Sequence, residues 1–319
     1  MISEVLSQQL ALLPDYLSRH LLLSVTAIVA GVLLSIPLSV IALRQRQLQG
    51  PLLAIASAIQ TIPGLALLAL MVPLLRQIGF LPAVIALILY SVLPVLRNAV
   101  TGIEEVDTNL IEAGRGLGMT DNQLLMRVQL PLAMPVIVAG IRTAAVWVVG
   151  MATLSTPVGA TSLGNYIFSG LQTQNYTAVL VGCIAAAALA LILDRLIRSM
   201  EIAISRRNRR GIALTALVTL VILFAGLAPI VYSGSNAQAG PAIVVGTKTF
   251  TEQYILGDFI ENELAAAGLR TRRLESLGST VGFDALKAGR IDVYVDYTGT
   301  IWANYMQQSD NPGLSLIHI

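Results

Sequence analysis

The chain has 319 residues, of which 55% are hydrophobic and only 12% are charged, and its mean hydropathy is +0.75. This composition excludes an ordinary soluble domain, in which about a quarter of the residues are charged. The formal net charge is +2, and the chain contains two histidines, His20 and His318, and one cysteine, Cys183. These counts argue against a histidine-dependent catalytic set, a metal cluster and an internal disulfide.

Long stretches without formal charge predict about six membrane-spanning helices. A helix needs about 20 apolar residues to cross the hydrocarbon core of a bilayer. The predicted spans cover residues 21–43, 52–75, 80–96, 135–157, 177–193 and 212–232.

Two polar features lie inside these spans. Gln60, Thr61, Pro63 and Gly64 either line a pathway or mark a kinked helix that packs through small residues. Arg142 lies about two turns into the fourth span. We expect its side chain to snorkel to the membrane interface, with a role in the pathway as the alternative.

Arginine placement orients the spans. Loops on one side carry eleven arginines, whereas the short segments on the other side carry Arg19 and Arg76. The positive-inside rule therefore places the N-terminus and the chain beyond Tyr232 outside the cell. We attribute the basic character to topology in a lipid membrane and expect no nucleic-acid partner. The cytoplasmic set is Arg44, Arg46, Arg97, Arg115, Arg127, Arg195, Arg198, Arg206, Arg207, Arg209 and Arg210.

A polar, glycine-containing loop, IEAGRGLGMTDNQLLMRVQLP, follows the third span at residues 111–131. We expect a short helix over residues 109–117, a break at Gly118, and a second short helix that begins with a capping box of Thr120 and Gln123. An apolar face on the second helix, made by Leu124, Leu125 and Val128, would suit a groove on a partner protein. The alternative is an amphipathic helix pair on the bilayer surface.

This loop resembles the cytoplasmic "EAA" loop of ABC-importer permeases, at residues 109–131. The resemblance implies a docking surface for a separate ATPase subunit and a second permease copy that completes the pathway. Gly114 replaces the usual second alanine of the motif. The residues expected at the docking surface are Glu112, Ala113, Gly114, Gly118, Leu130 and Pro131.

Beyond the last span the pattern changes to that of an α/β domain. Residues 233–241 are small and polar, as expected of a linker. Strands are predicted at 242–245, 271–275 and 291–295, with helices at 252–267 and 278–288 between them. This order implies a parallel sheet, whose ligands bind at the carboxyl ends of the strands. Those ends are expected at residues 246–249, 278–280 and 296–300.

The strings GTKTFTEQYILG and LGSTVGFDALKAGRIDVYVDYTGT resemble binding proteins of glycine betaine, carnitine and choline importers. QTIPGLALLAL, ILYSVLPVLRN and GIRTA resemble the permeases of the same family. The resemblance covers residues 21–302. It implies an all-α polytopic membrane domain of the ABC type I permease kind, followed by an incomplete α/β lobe of a type II periplasmic binding protein. The expected location is a bacterial inner membrane, with the lobe outside.

A quaternary ammonium cannot donate conventional hydrogen bonds, so aromatic faces recognise it. In the family that the lobe resembles, the tyrosine matching Tyr297 forms part of an aromatic cage, and residues matching Lys248 and Thr300 bind a carboxylate. Asp296 either orients the site or balances the cation. We interpret Tyr254 and Tyr294 as packing residues. The plain alternatives are a sheet-edge Tyr297 and a solvated loop Lys248.

The expected division is a membrane domain over residues 1–210, a final span over 211–232, a linker over 233–241 and a partial lobe over 242–319. Binding proteins of this family have two lobes, and residues 242–319 are too few for both. We expect the resemblance to end after Tyr305, with unrelated residues from about Leu314, and we expect poor ligand binding by residues 241–319 alone.

The leading hypothesis is a permease subunit of an ATP-driven importer for glycine betaine, choline or carnitine, without a cofactor. The chain lacks a GxxxxGK[ST] motif, so it is not expected to hydrolyse ATP itself. One alternative is an importer of another small solute such as an amino acid. Another is a solute-sensing receptor, although its longest cytoplasmic stretch would be the loop at 97–130. An enzyme is the least favoured class.

Overall fold

The computed structural model describes residues 2–236 and 242–306. Residues 2–236 form a helical bundle, and residues 242–306 form a small α/β lobe. The helices of the bundle are α1 Ile2–Arg44, α2 Arg46–Thr61, α3 Gly64–Leu75, α4 Phe80–Glu104, α5 Thr108–Gly116, α6 Asp121–Leu124, α7 Leu130–Ala152, α8 Gly164–Gln172, α9 Tyr176–Ser205 and α10 Arg209–Asn236. A π-helical turn, Leu125–Gln129, joins α6 to α7, and a 3₁₀ segment, Thr153–Val158, follows α7.

Five continuous helical stretches are long and apolar enough to cross a membrane, and they agree with five of the six predicted spans. The predicted second span is not one straight helix. It consists of α2 and α3, which meet at an angle of 100°. Ile62 is extended, with φ −68° and ψ 128°, because the ring of Pro63 disfavours helical geometry at the preceding residue. The five continuous stretches are Leu6–Arg44, Phe80–Glu104, Asp121–Val158, Tyr176–Ser205 and Arg209–Pro229.

The polar groups freed at this bend are bound by α4. The Tyr90 hydroxyl donates a hydrogen bond to the Ile62 carbonyl, and Gln60 Nε2 donates to the Tyr90 carbonyl at 2.9 Å. Backbone groups inside hydrocarbon need such internal partners, since water is absent there. Gln60 thus supports the bend, while Thr61 and Pro63 are exposed on the surface of the bundle.

The bent pair connects opposite ends of the bundle. We name these ends after the first and last residues of α4, which lie about 37 Å apart for 25 residues of helix. At the Glu104 end, Gln49 of α2 donates a hydrogen bond to Glu104 at 3.1 Å. At the Phe80 end, the Gly79 N–H that follows α3 donates to the Val158 carbonyl at 2.8 Å. The pair therefore behaves as one broken span.

The core of the bundle is built around α4, which packs between α1 and α7. Small residues allow these helices to approach one another closely. A Cβ added at Gly140 of α7 would lie 2.8 Å from the Pro94 carbonyl oxygen of α4. A Cβ added at Gly31 of α1 would lie 1.8 Å from Ser91 Oγ. Packing through small residues is common between membrane helices, because lipid supplies no hydrophobic drive for helix association.

Arg142 forms ion pairs that the sequence did not predict. Its Nε lies 3.2 Å from Asp194 Oδ1, and its Nη1 donates to Glu201 Oε2 at 2.9 Å. Both carboxylates belong to α9. A charge within a membrane bundle is costly unless it is paired, and these two carboxylates satisfy the guanidinium, whose side chain is half-buried.

The predicted β–α–β–α–β order of the lobe is confirmed. Its elements are β1 Ile243–Lys248, α11 Thr251–Ala266, β2 Thr271–Leu277, α12 Ser279–Lys287, β3 Val293–Tyr294 and α13 Thr298–Thr300, followed by a π-helical turn, Ile301–Tyr305. The sheet is parallel, with the strand order β2–β1–β3. This order places the carboxyl ends of β1 and β3 side by side.

The lobe packs on the Phe80 end of the bundle. The Gly278 N–H donates to the Pro157 carbonyl at 3.0 Å, and Thr251 Oγ1 donates to the Gln172 carbonyl at 2.5 Å. Leu277 and Ile291 of the lobe are buried in the same apolar cluster as residues of the bundle. Helix α10 continues to Asn236, four residues into the predicted linker. Residues 237–241 of that linker lie outside the described part of the chain, as do the final residues from 307 onward.

Candidate functional site

The polar loop at the Glu104 end, residues 107–131, has the predicted break and cap. Asp107 caps α5 by accepting a hydrogen bond from the Asn109 N–H at 2.9 Å. Gly118 has a φ of +78°, a conformation that favours glycine. The capping box is present, because the Thr120 N–H donates to Gln123 Oε1 at 2.9 Å and the Gln123 N–H donates to Thr120 Oγ1 at 3.4 Å.

The second short helix of the loop is not a separate unit. Helix α6 continues through the π-helical turn into α7, so that residues Asp121–Val158 form one stretch. Its predicted apolar face also does not point to a partner. Leu124 and Leu125 are buried within the bundle, and Leu125 packs with Ile103 of α4. For Leu124 and Leu125 that part of the docking hypothesis is therefore wrong, because the chain itself covers these side chains, whereas Val128 is only half-buried.

Gly114 provides the space that Leu124 occupies. A Cβ added at Gly114 would lie only 2.5 Å from Leu124 Cδ2. This contact gives a physical reason for glycine at the position where the EAA pattern has its second alanine. Gly114 is consequently buried, and it supports the loop from the inside.

A different apolar surface of the loop remains exposed. Leu117 is 80% exposed and Met126 is 65% exposed. Glu112 lies beside a cavity of about 520 Å³ whose charged lining is Arg44, Arg46, Glu104, Glu112, Arg115 and Asp121. Of the sequence-predicted docking residues, Glu112, Ala113, Gly118 and Pro131 are exposed, Leu130 is half-buried and Gly114 is buried.

In the lobe, Lys248 is the last residue of β1 and is 0% exposed, which excludes a solvated loop lysine. Its ammonium donates a hydrogen bond to Asp296, which follows β3. The Nζ atom also lies 5.5 Å from the ring centroid of Tyr294 and 5.9 Å from that of Tyr297. The sheet thus brings Lys248 to a carboxylate and two aromatic rings that lie together in a distant part of the sequence. We call these four residues the Lys248 cluster.

Asp296 organises the Lys248 cluster through three donors. Besides Lys248, it accepts hydrogen bonds from the Tyr294 hydroxyl at 2.6 Å and from the Tyr297 N–H at 2.7 Å. Burial and the neighbouring Asp296 carboxylate raise the pKa of Tyr294 well above its usual value. Tyr294 packs against the apolar cluster, as interpreted from the sequence, and in addition its hydroxyl bonds Asp296, which was not predicted. A signal was available, since Tyr294 and Asp296 are two residues apart and point to the same side of an extended chain.

Tyr297 connects the Lys248 cluster to the start of α11. Its hydroxyl donates to Glu252 Oε1 at 2.7 Å and accepts from Gln253 Nε2 at 3.1 Å. The hydrogen bond from Tyr297 lowers the pKa of the Glu252 carboxyl, and burial raises the pKa of Tyr297. Phe250 meets the Tyr297 ring edge-to-face, with centroids 6.3 Å apart.

Thr300 lies half-buried in α13, one turn after Tyr297. Within the described residues, its hydroxyl makes no hydrogen bond to the Lys248 cluster. Tyr254 is buried, and its hydroxyl bonds Ser276 Oγ at 2.6 Å, in agreement with a packing role.

The arrangement is chemically suited to a cation. The faces of two tyrosine rings already lie within cation–π range of an ammonium group, which is the geometry that also accepts quaternary ammonium ions. Asp296 neutralises Lys248, so Glu252 adds an unbalanced negative charge beside Tyr297. A second cation near these rings would therefore be favoured electrostatically.

The Lys248–Asp296 pair predicts a clear double-mutant result. Asp296→Asn leaves a buried ammonium without its counter-charge and should destabilise the lobe by about 3–5 kcal/mol. Lys248→Met should cost less, because Asp296 keeps two other donors. The combined variant should lose less unfolding free energy than the two single variants lose together. Urea-dependent proteolysis of the lobe in the purified protein measures these losses. Strictly additive losses would contradict the pairing.

Two parts of the chain match families of known proteins. Residues 27–206 match the family described as "Binding-protein-dependent transport system inner membrane component". Residues 241–315 match the "Substrate binding domain of ABC-type glycine betaine transport system". The second match continues past Tyr305, so the expectation that the resemblance ends there is wrong.

Similar proteins include choline permease OpuBB of Bacillus subtilis, 43% identical over 183 residues that cover 57% of this chain and 84% of the relative. Glycine betaine/carnitine/choline permease OpuCB of the same species is 39% identical and covers 60% and 88%. The ergothioneine permease/binding protein EgtU of Helicobacter pylori is 34% identical over 268 residues. The aligned residues cover 80% of this chain but 48% of EgtU.

A chain of the inward-facing MetNI methionine ABC transporter has the same bundle fold, with a TM-score of 0.57 and 23% identity over 61% of this chain and 97% of that chain. The predicted fold class, a polytopic helical domain of the ABC type I permease kind followed by an α/β lobe, is thus confirmed. Family membership makes the chain a multi-pass transport subunit rather than an enzyme. The chain belongs to the family of binding-protein-dependent transport system inner membrane components.

Proposed function

We propose that this chain is the transmembrane subunit of an ATP-driven importer for quaternary-ammonium solutes such as glycine betaine, choline and carnitine, with a tethered capture domain. The observation that carries the proposal is the Lys248 cluster. It offers aromatic faces to a cation at the carboxyl end of a parallel sheet, where ligands of such folds bind. The names of the similar permeases OpuBB and OpuCB support the solute class.

Tyr297 and Tyr294 are the proposed walls for a methylated ammonium, each worth up to about 2 kcal/mol when water is excluded. Lys248 and Thr300 are the proposed donors to a solute carboxylate. Because the Lys248 ammonium is bonded to Asp296, carboxylate binding requires this lysine to share its donors or change its rotamer. Ergothioneine, named for EgtU, also carries a trimethylammonium and a carboxylate, so it falls within the same chemistry.

An amino acid importer is a weaker proposal for this site. A primary ammonium is recognised through hydrogen-bond acceptors, and the carboxylate of Asp296 already accepts three hydrogen bonds within the Lys248 cluster. Aromatic faces suit methylated ammonium groups better. A solute-sensing receptor is also less favoured, since membership of the transport family points to movement of the solute rather than to signalling.

We infer that a cytoplasmic ATPase docks on the polar loop at the Glu104 end. Glu112, Ala113, Gly118 and Pro131 supply exposed groups, Leu130 is half-buried, and Gly114 supports the loop internally. Exposed Leu117 and Met126 supply the apolar contact that Leu124 and Leu125 do not. A second permease copy, identical or related, is the proposed partner that completes the solute pathway.

The proposed orientation places the polar loop in the cytoplasm and the lobe outside a bacterial inner membrane. The arginine distribution supports this orientation. We retain the division into a membrane domain (1–210), a final span (211–232), a linker (233–241) and a partial lobe (242–319), which the ends of the two family matches support.

The docking proposal predicts the effect of reversing one charge. Glu112→Lys should lower co-purification of the ATPase subunit by about tenfold or more, because a charge at a protein contact would be reversed. Glu105→Lys is the matched control, since Glu105 is an exposed carboxylate at the same end but outside the matched motif. Equal ATPase recovery with the two variants would contradict docking at Glu112.

The solute proposal predicts a split between two substitutions of Tyr297. In vesicles containing the full-length transporter and its ATPase, Tyr297→Ala should weaken the apparent affinity for labelled choline by about 30-fold, the equivalent of one aromatic contact. Tyr297→Phe keeps the ring face and loses only the bonds to Glu252 and Gln253, so it should change the affinity by less than about threefold.

Labelled betaine and carnitine should respond to Tyr297→Ala as choline does, and an amino acid should not be taken up. An alanine variant that transports choline with unchanged affinity, or a phenylalanine variant as impaired as the alanine variant, would contradict a cation–π role for Tyr297.

A further inference from the structure

A crevice separates the lobe from the Phe80 end of the bundle. It has a volume of about 420 Å³. Its bundle wall is formed by α1, the start of α4 and the segment after the 3₁₀ turn, and its lobe wall by β1, β2 and the loop before β3. The crevice is distinct from the Lys248 cluster, none of whose members lines it.

Three arginines from three different elements face this crevice: Arg19 of α1, Arg272 of β2 and Arg290 of the loop before β3. No carboxylate is among its lining residues, which are Arg19, Leu22, Ile78, Gly79, Phe80, Gly159, Ala160, Thr161, Val244, Arg272, Leu274, Gly289 and Arg290. The crevice therefore concentrates positive charge at the end of the bundle that is otherwise poor in arginine.

Much of the hydrogen-bonding capacity of these arginines is unused. Arg19 gives only its Nε to Asp15, at 2.9 and 3.0 Å, so its two terminal nitrogens are free of that contact. Arg290 makes a long bond of 3.5 Å to Gln77. Arg272 has neither a hydrogen-bond nor an ion-pair partner for its side chain within the described residues, and it is exposed. Guanidinium groups with unused N–H donors can bind an oxyanion.

Apolar side chains also line the crevice, at the start of two of the predicted spans, 21–43 and 80–96. Phe80 is the first residue of α4, and Leu22 lies at the start of the apolar part of α1. Phe80 begins one stretch that is long and apolar enough to cross a bilayer, and Leu22 lies within another, Leu6–Arg44. A lining that combines guanidinium groups with apolar side chains suits the phosphate and acyl groups of a phospholipid.

We propose that this crevice binds the phosphate group of an anionic phospholipid from the surrounding bilayer. An adjoining cavity of about 340 Å³ shares Arg19 and Arg272 but also contains Asp15 and Glu275. These two carboxylates would repel a phosphate, so we place the phosphate beside Arg290, which lines only the first cavity. A lipid held there would link the lobe to the bundle through Arg272 and Arg290 on one side and Arg19 on the other.

The test uses the full chain purified in detergent and titrated with phosphatidylglycerol, with phosphatidylcholine of the same acyl chains, or with inorganic phosphate. Bound lipid is counted by native mass spectrometry, and thermal unfolding is measured in parallel. Arg272→Gln is the first variant, since the loss of an exposed, unpartnered side chain should leave folding intact. The triple variant adds Arg19→Gln and Arg290→Gln. Arg76→Gln is the matched control, as Arg76 is exposed at the same end but outside the crevice.

Phosphatidylglycerol should bind the unmodified chain more tightly than phosphatidylcholine and should raise its unfolding temperature. Arg272→Gln should weaken that binding about fivefold and the triple variant about 100-fold, in proportion to the charge removed. Arg76→Gln should have no such effect. Unchanged binding in the triple variant, equal weakening by Arg76→Gln, or equal affinity for phosphatidylcholine would overturn the proposal. Stabilisation by inorganic phosphate equal to that by the lipid would overturn the lipid assignment.

Discussion

Backbone amides and carbonyls within hydrocarbon have no water to bind, so each must find a partner inside the protein. This constraint explains where each part of the chain lies. Long helices fill the interior of the bundle, while the glycine-broken loop and the parallel sheet lie at its two ends. The interruption between α2 and α3 is permitted because Tyr90 bonds the freed Ile62 carbonyl and Gln60 bonds the Tyr90 carbonyl.

The same constraint decides how much could be predicted from the sequence. Local signals were sufficient for the spans, the break at Gly118 and the Thr120–Gln123 capping box, because each depends on neighbouring residues. Pro63 marked the position of the bend in the second span, but its angle depends on packing against Tyr90, which no local pattern contains.

Contacts between distant residues were not predictable from local patterns. Arg142 pairs with two carboxylates of α9, and Leu124 packs on Gly114 instead of facing a partner. Alternation along β3 could have placed Tyr294 beside Asp296, whereas the burial of Lys248 depends on how the strands are ordered in the sheet.

Within the lobe, burial explains why Lys248 has the partners that it has. A buried ammonium needs a counter-charge, and Asp296 supplies it while two tyrosine faces cover the same cation. A solute with a methylated ammonium and a carboxylate presents the same two chemical groups in one molecule. The contacts that Lys248 makes in the free lobe thus resemble those that we propose for the solute.

The central claim is that the polar loop and the lobe lie on opposite sides of the membrane. The direct test replaces Cys183 by alanine and introduces a single cysteine at Leu117 of the loop or at Phe259 of the lobe, both exposed positions. A membrane-impermeant maleimide is then added to intact spheroplasts. The account predicts labelling of the Phe259→Cys protein from outside and labelling of the Leu117→Cys protein only after the membrane is opened. Labelling of both proteins from the same side would contradict it.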